Sequence, residues 1–147
     1  MLAQPAGASS AVLQQVAISG NRVTALGQEI KAGGAVPFAE QSADGGASWR
    51  QVPFPAPGPD PVVTALAADS GGFTAAGRYG APGQQTVVIW TSASGTTWTP
   101  AQVSGLGRGS QQVTALASSG SAVTGIGSTA TARGLQFLLL ALSDITK

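Results

Sequence analysis

Histidine and cysteine are both missing from this 147-residue chain, and charge is scarce, with seven basic and six acidic side chains. Without histidine there is no imidazole base and no nitrogen ligand for zinc; without cysteine there is no thiolate nucleophile and no disulfide. A cysteine-free domain tolerates reducing and oxidising surroundings alike, so the compartment stays open. Net charge is +1, and the Arg and Lys residues are scattered singly. That leaves no electrostatic footprint for nucleic acid or a membrane surface. The apolar run "LLLAL" at 138–142 is far shorter than the roughly 20 residues needed to cross a bilayer. The opening "MLAQPAGASS" has neither the basic start nor the apolar stretch of a signal peptide. Low charge suits a secreted, extracellular chain whose leader has been removed, and that localisation is carried here only as an expectation.

What is present is glycine (21 residues), proline (9 residues), and many Ala, Val, Thr and Ser. Glycine and proline break helices, while Val and Thr suit a pleated, half-buried surface. No window carries a sustained helical apolar stripe. The chain is predicted to be all-β.

A period of fifty residues organises it. "VVTALAADSGGFTAAG" (62–77) and "QVTALASSGSAVTGIG" (112–127) match at that shift, and a further shift reaches "VLQQVAISGNRVTALG" (12–27). Gly27, Gly77 and Gly127 then coincide, as do Val23, Phe73 and Val123. Each repeat reads as four short strands: the first at 13–18, 63–68 or 113–118, the second at 22–27, 73–77 or 123–127. The third strands fall at 36–41, 86–91 and 136–142, the fourth at 48–54 and 97–103. Turns at "SGN", "SGG" and "SGS" supply residues that accept positive φ. Four-stranded units at this period point to blades of a β-propeller, spanning about 11–54, 62–103 and 112–147.

The stretch "SADGGASW" sits between the third and fourth strands of the first repeat. Ser42, Asp44, Gly46, Ser48 and Trp49 resemble the Asp-box, the S-x-D-x-G-x-[ST]-W signature of sialidase-like propeller repeats. The second repeat has a worn copy in Thr91, Gly95, Thr97 and Trp98, with Ala93 in place of the aspartate, and the third reaches Asp144 before the chain ends. A carboxylate in such a turn accepts N–H bonds from its own loop, glycine permits the required φ, and the tryptophan packs. Asp44 is therefore predicted to hold a fold-back turn and not to act as an acid or base. The resemblance also implies that this turn lies on the face opposite any ligand site.

Closed propellers have about four to eight blades, and this chain encodes about three. Residues 1–10 offer a possible closing strand. Either a homodimer joins two half-rings into six blades, or the remaining blades belong to a longer chain or another partner.

The second-to-third loops and the blade-to-blade loops share one face of a propeller, the one that usually carries function. Glu29, Lys31, Arg78, Tyr79, Arg108, Arg133 and Asp60 would gather there. Trp90 ends the third strand of the second blade, where it can stack on a sugar or fill an interface between blades. No phosphate loop and no metal-ligand cluster is present, so no cofactor is expected. The sialidase resemblance implies an arginine cluster, a Tyr–Glu nucleophile pair and an aspartate; Tyr79 with Glu29 or Glu40 is the only candidate pair, and neither spacing supports it. The expectation is a non-catalytic interaction or assembly module. Carbohydrate binding through Trp90, Tyr79 and the loop arginines is the alternative, and a glycosidase fragment the third reading.

Overall fold

The computed structural model describes residues 5–103 and 109–142. These form eleven strands and no helix. Strands β1 (Ser10–Ser19), β2 (Arg22–Lys31), β3 (Gly34–Ser42) and β4 (Arg50–Val52) make the first sheet. Strands β5 (Val62–Asp69), β6 (Gly72–Tyr79), β7 (Thr86–Ser92) and β8 (Thr99–Gln102) make the second. The third contains β9 (Ser110–Ser119), β10 (Ala122–Thr131) and β11 (Gly134–Ala141). Every sheet is an antiparallel meander in chain order. The all-β prediction and the three repeats are therefore seen, while the first strands run longer and the fourth strands shorter than the sequence suggested.

One irregularity recurs at the period of the sequence. Leu13 faces Gly27, Val63 faces Gly77 and Val113 faces Gly127, and in each pair of strands the register then skips one residue of the first strand. This β-bulge leaves Gln14, Thr64 or Thr114 as the extra residue. It also drives a carbonyl towards the second strand. A Cβ at Gly27 would lie 2.0 Å from the Val12 carbonyl oxygen, at Gly77 2.1 Å from that of Val62, and at Gly127 2.0 Å from that of Gln112. The three glycines are required by close approach, not by φ. A bulge adds local twist, so the three sheets twist alike.

The sheets stack face to face in chain order, with β5 between β1 and β9. Each has an upstream face, towards the sheet before it in the chain, and a downstream face. The downstream face of the first sheet contributes Ala17, Leu26, Ala39 and Val52 to one core. The second sheet meets it with Val63, Phe73, Ala75, Val88, Trp90 and Trp98. A second core joins Ala65, Ala76, Val87 and Ile89 on the downstream face of the second sheet to Val113, Val123, Leu140 and Leu142 of the third. Buried on both sides, the middle sheet reads as near-continuous apolar strands. At the downstream end Ile126, Phe137 and Leu139 are exposed; at the upstream end β1 exposes Val16 and Ile18, while Val23, Ala25, Phe38 and Glu40 of β2 and β3 are buried.

Polar side chains also tie neighbouring sheets at their first strands, β1, β5 and β9. Gln15 Nε2 donates to the Thr64 carbonyl at 3.3 Å. The bulge residue Thr64 donates through Oγ1 to the Val113 carbonyl and, at 3.3 Å, to that of Ala76.

Candidate functional site: fold-back turns, loop edge and open faces

The first fold-back turn is built around one carboxylate. Asp44 Oδ1 accepts hydrogen bonds from the Ser42 hydroxyl at 2.7 Å and the Ser48 amide at 2.8 Å, while Oδ2 accepts from the Ser48 hydroxyl at 2.5 Å. Ser42 Oγ in turn accepts from the Gly46 amide at 2.8 Å. Gly45 and Gly46 take φ of 71° and 98°, values that L side chains rarely adopt. The Trp49 indole N–H closes the loop on the Gly46 carbonyl at 2.9 Å.

The second turn keeps the skeleton with one residue fewer. Gly95 donates to Ser92 Oγ at 2.8 Å and accepts the Trp98 indole N–H at 3.1 Å. Ser92, not Thr91, thus holds the place of Ser42, opposite Phe73 as Ser42 is opposite Val23; the shortened turn instead brings Gly95 and Trp98 one residue earlier. Ser94 stands where Asp44 stands and contacts Thr96 Oγ1 at 2.6 Å. Thr91 is buried in β7 and Thr97 is exposed. Asp144 lies outside the described residues.

The hydrogen bonds from Ser48 and Ser42 hold the Asp44 carboxyl at about 2, below its ordinary 3.8. A carboxyl with a lowered folded value stabilises the fold above its ordinary value, and that stabilisation is lost as pH falls through the folded one. Asp44→Ala should therefore lower the melting temperature at pH 7. The gap from the parent should shrink between pH 3.8 and about 2. A gap that stays constant through that window would show that the carboxylate does not brace the turn.

At the opposite end of the strands lie the loop residues expected to form a ligand face. They do not converge. Lys31 Nζ pairs with Glu29 Oε1 at 2.6 Å beside a cleft of about 430 Å³ lined by Phe38, Gln51, Pro53 and Phe54 among others. Glu29 is only 3% exposed, and its Oε2 has no hydrogen-bond partner among the described residues. Arg133 lines a different, shallow cleft with Gly83, Gly109 and Gln136. Arg78 donates to Gln85 Oε1, which also accepts from Ser110 Oγ at 3.1 Å. Tyr79 packs on Gly58, where an added Cβ would lie 2.5 Å from its ring. Asp60 is exposed, with φ of 49° in the link before β5. Arg108 lies outside the described residues.

Trp90 is not a sugar platform. It is 0% exposed, packs with its ring centre 4.9 Å from that of Phe54 at a tilt of 39°, and donates its indole N–H to the Pro55 carbonyl at 2.9 Å. Its place between the first two sheets explains why the sequence puts an aromatic there.

Nor is the Tyr–Glu pair assembled. Strand alternation puts Glu29 and Glu40 on the upstream face of the first sheet, whereas Tyr79 packs against the core on its downstream side. Burial pushes the Glu40 carboxyl above its ordinary value of 4.5.

A chain with too few sheets to close is expected to expose apolar residues on its terminal sheets, and it does so on β1 and on the third sheet. Upstream, the first sheet exposes Val16 and Ile18 at 64% each, with Leu13 beside them. Downstream, the third sheet exposes Ile126 at 53%, Phe137 at 98% and Leu139 at 75%. The signal was available: "LQFLLLAL" places Leu135, Phe137 and Leu139 at period two on one side of a strand.

No protein family, curated protein or solved structure matches the chain.

Proposed function

We propose that the three sheets are consecutive blades of a β-propeller and that the chain works as a non-catalytic module for assembly or protein interaction. One observation carries this reading: equivalent positions of consecutive sheets form a core twice, and apolar side chains remain exposed at both ends, Ile126, Phe137 and Leu139 on the third sheet and Val16 and Ile18 on β1. Large contiguous apolar surfaces on a folded chain mark places where another molecule sits. The resemblance of the first fold-back turn to the Asp-box supports the same reading, since its carboxylate is fully engaged within its own loop.

A second reading, carbohydrate binding, has one specific observation in its favour. The Glu29–Lys31 pair beside Phe38 and Phe54 combines charged hydrogen-bonding groups with aromatic walls, the mixture that polar ligands with apolar faces require. Glycan-array binding lost in Lys31→Ala would favour it, and silence of the parent would remove it.

Sedimentation across a wide concentration range tests the main reading. Particles containing more than one chain, or defined complexes with partner proteins, are expected. A folded species with the mass of one chain at every concentration, engaging no partner, overturns it.

A further inference from the structure

Phe137 is 98% exposed in the middle of β11. It stands on the downstream face of the third sheet, with Leu135 and Leu139 on the same strand and Ile126 on β10, all of them exposed. Fifty residues earlier, Val87, Ile89 and Ala76 hold the places of Phe137, Leu139 and Ile126, and there the next sheet covers them. The uncovered face is therefore the bulkier one, with Phe for Val and Ile for Ala. It is also hollow: a cleft of about 480 Å³ has Phe137 on one wall and Thr114, Ile126, Ser128 and Leu139 around it. A projecting ring and a cavity thus lie on one surface.

We propose that two copies of this chain pair through this face about a two-fold axis, each Phe137 entering the cleft of the other copy. The axis lies in the contact and runs across the strands, so that β11 faces β11 in the opposite direction. This pairing rests on the assembly reading above and gives it a partner. Charge favours a second copy as the occupant. A face that pairs with itself sets every charge near its like, so it must carry almost none. From Gly109 to Leu142 the sequence holds one charged residue, Arg133. Arg133 lies in the turn between β10 and β11, and reversal of the strands sends the two copies of that turn to opposite ends of the contact.

The hydroxyls that line the cleft are already engaged. Thr114 Oγ1 donates to the Ile126 carbonyl at 3.2 Å, and Ser128 Oγ accepts from Gln112 Nε2 at 3.2 Å. Both bonds stay within the third sheet, so covering them breaks neither. Among the described residues a second copy offers no other apolar face of this kind. At its upstream end only β1 is exposed, while Val23, Ala25, Phe38 and Glu40 are buried in the single chain. Pairing through like faces also stops at two chains, because each copy has spent the surface that joins them, whereas a head-to-tail contact continues until a ring closes.

Sedimentation of the parent should show a two-chain particle that dissociates on dilution. Phe137→Asp sets like charges on both sides of the axis and should weaken pairing by about 100-fold or more, since symmetry counts the lost anchor twice. The exposed ring supports no core, so this variant should unfold at the temperature of the dissociated parent. The absence of native cysteine allows a second measurement. Leu139→Cys alone, treated with a short bis-maleimide, should give a linked pair, and Val16→Cys on β1 should not. Linking of Leu139→Cys to Val16→Cys in an equal mixture, in preference to itself, would overturn the proposal, because the contact would then be head to tail. Two-chain particles that Phe137→Asp leaves intact would overturn it with the assembly reading still standing. A parent of one chain at every concentration also overturns it, and the assembly reading falls as well only if no other protein binds.

Discussion

Trp90→Ala is expected to lower stability by about 3–5 kcal/mol, the usual cost of emptying a large aromatic site in a packed core. Against a total of roughly 5–15 kcal/mol for a domain, that brings the chain close to unfolding at room temperature. The ring is wholly buried, packs on Phe54 and lies against Gly77, where an added Cβ would be 2.8 Å from it. Its removal also strands the Pro55 carbonyl that accepts the indole N–H. Trp90→Phe, which keeps a ring and loses that bond, should fall between the parent and Ala. Urea unfolding is the measurement, read as a shift in midpoint at constant slope. Trp49 provides the contrast, being only half-buried in an otherwise exposed turn. If Trp90→Ala cost no more than Trp49→Ala, the junction between the first two sheets would not be the core described here.

Gly77→Ala should rank next. Its methyl group would arrive 2.1 Å from the Val62 carbonyl oxygen, a backbone atom that cannot swing aside. Either the bulge shifts or Trp90 moves, and overpacking of this kind costs typically about 1–3 kcal/mol. Gly27→Ala and Gly127→Ala meet the Val12 and Gln112 carbonyls in the same way and should show losses of similar kind. Gly33→Ala is the control. Nothing lies within 4 Å of its added carbon and its φ is not in the left-handed range, so it should be neutral or mildly stabilising. A flat result across all four positions in thermal unfolding would remove the bulge as the reason for the repeated glycine.

The coincidence of Gly27, Gly77 and Gly127 was plain in the sequence, but its cause was not. Sequence comparison shows which positions repeat; it does not show that a carbonyl from the neighbouring strand presses on them. Thr64 and Thr114 are of a type that regular strands favour and Gln14 differs from both, so nothing in their identity announced an extra residue. Strand positions were legible because alternation and turn residues are local signals. The shortened fourth strands were less so, since pairing of β4 and β8 ends where the chain must leave for the next sheet.

Trp90 shows the limit most clearly. Its neighbours in sequence allow either a platform or a packing role, and only the position of Phe54 and Pro55 decides. The loop charges failed in the opposite way. Their shared edge followed from topology, yet each found a partner or cleft of its own: Lys31 on Glu29, Arg78 on Gln85, Arg133 in a separate cleft. Antiparallel connectivity fixes the end of a sheet at which a residue sits, but not its distance from a residue on the next sheet.

The doubled junction has a consequence for how such a chain can change over generations. Because the downstream side of one unit matches the upstream side of the next in kind, a gene can gain or lose a whole unit at a bulge-bearing boundary without needing any contact of a new type. Unit number then becomes a matter of copying, and only the outermost residues, such as Phe137 and Val16 here, must be retuned to whatever neighbour the new length provides.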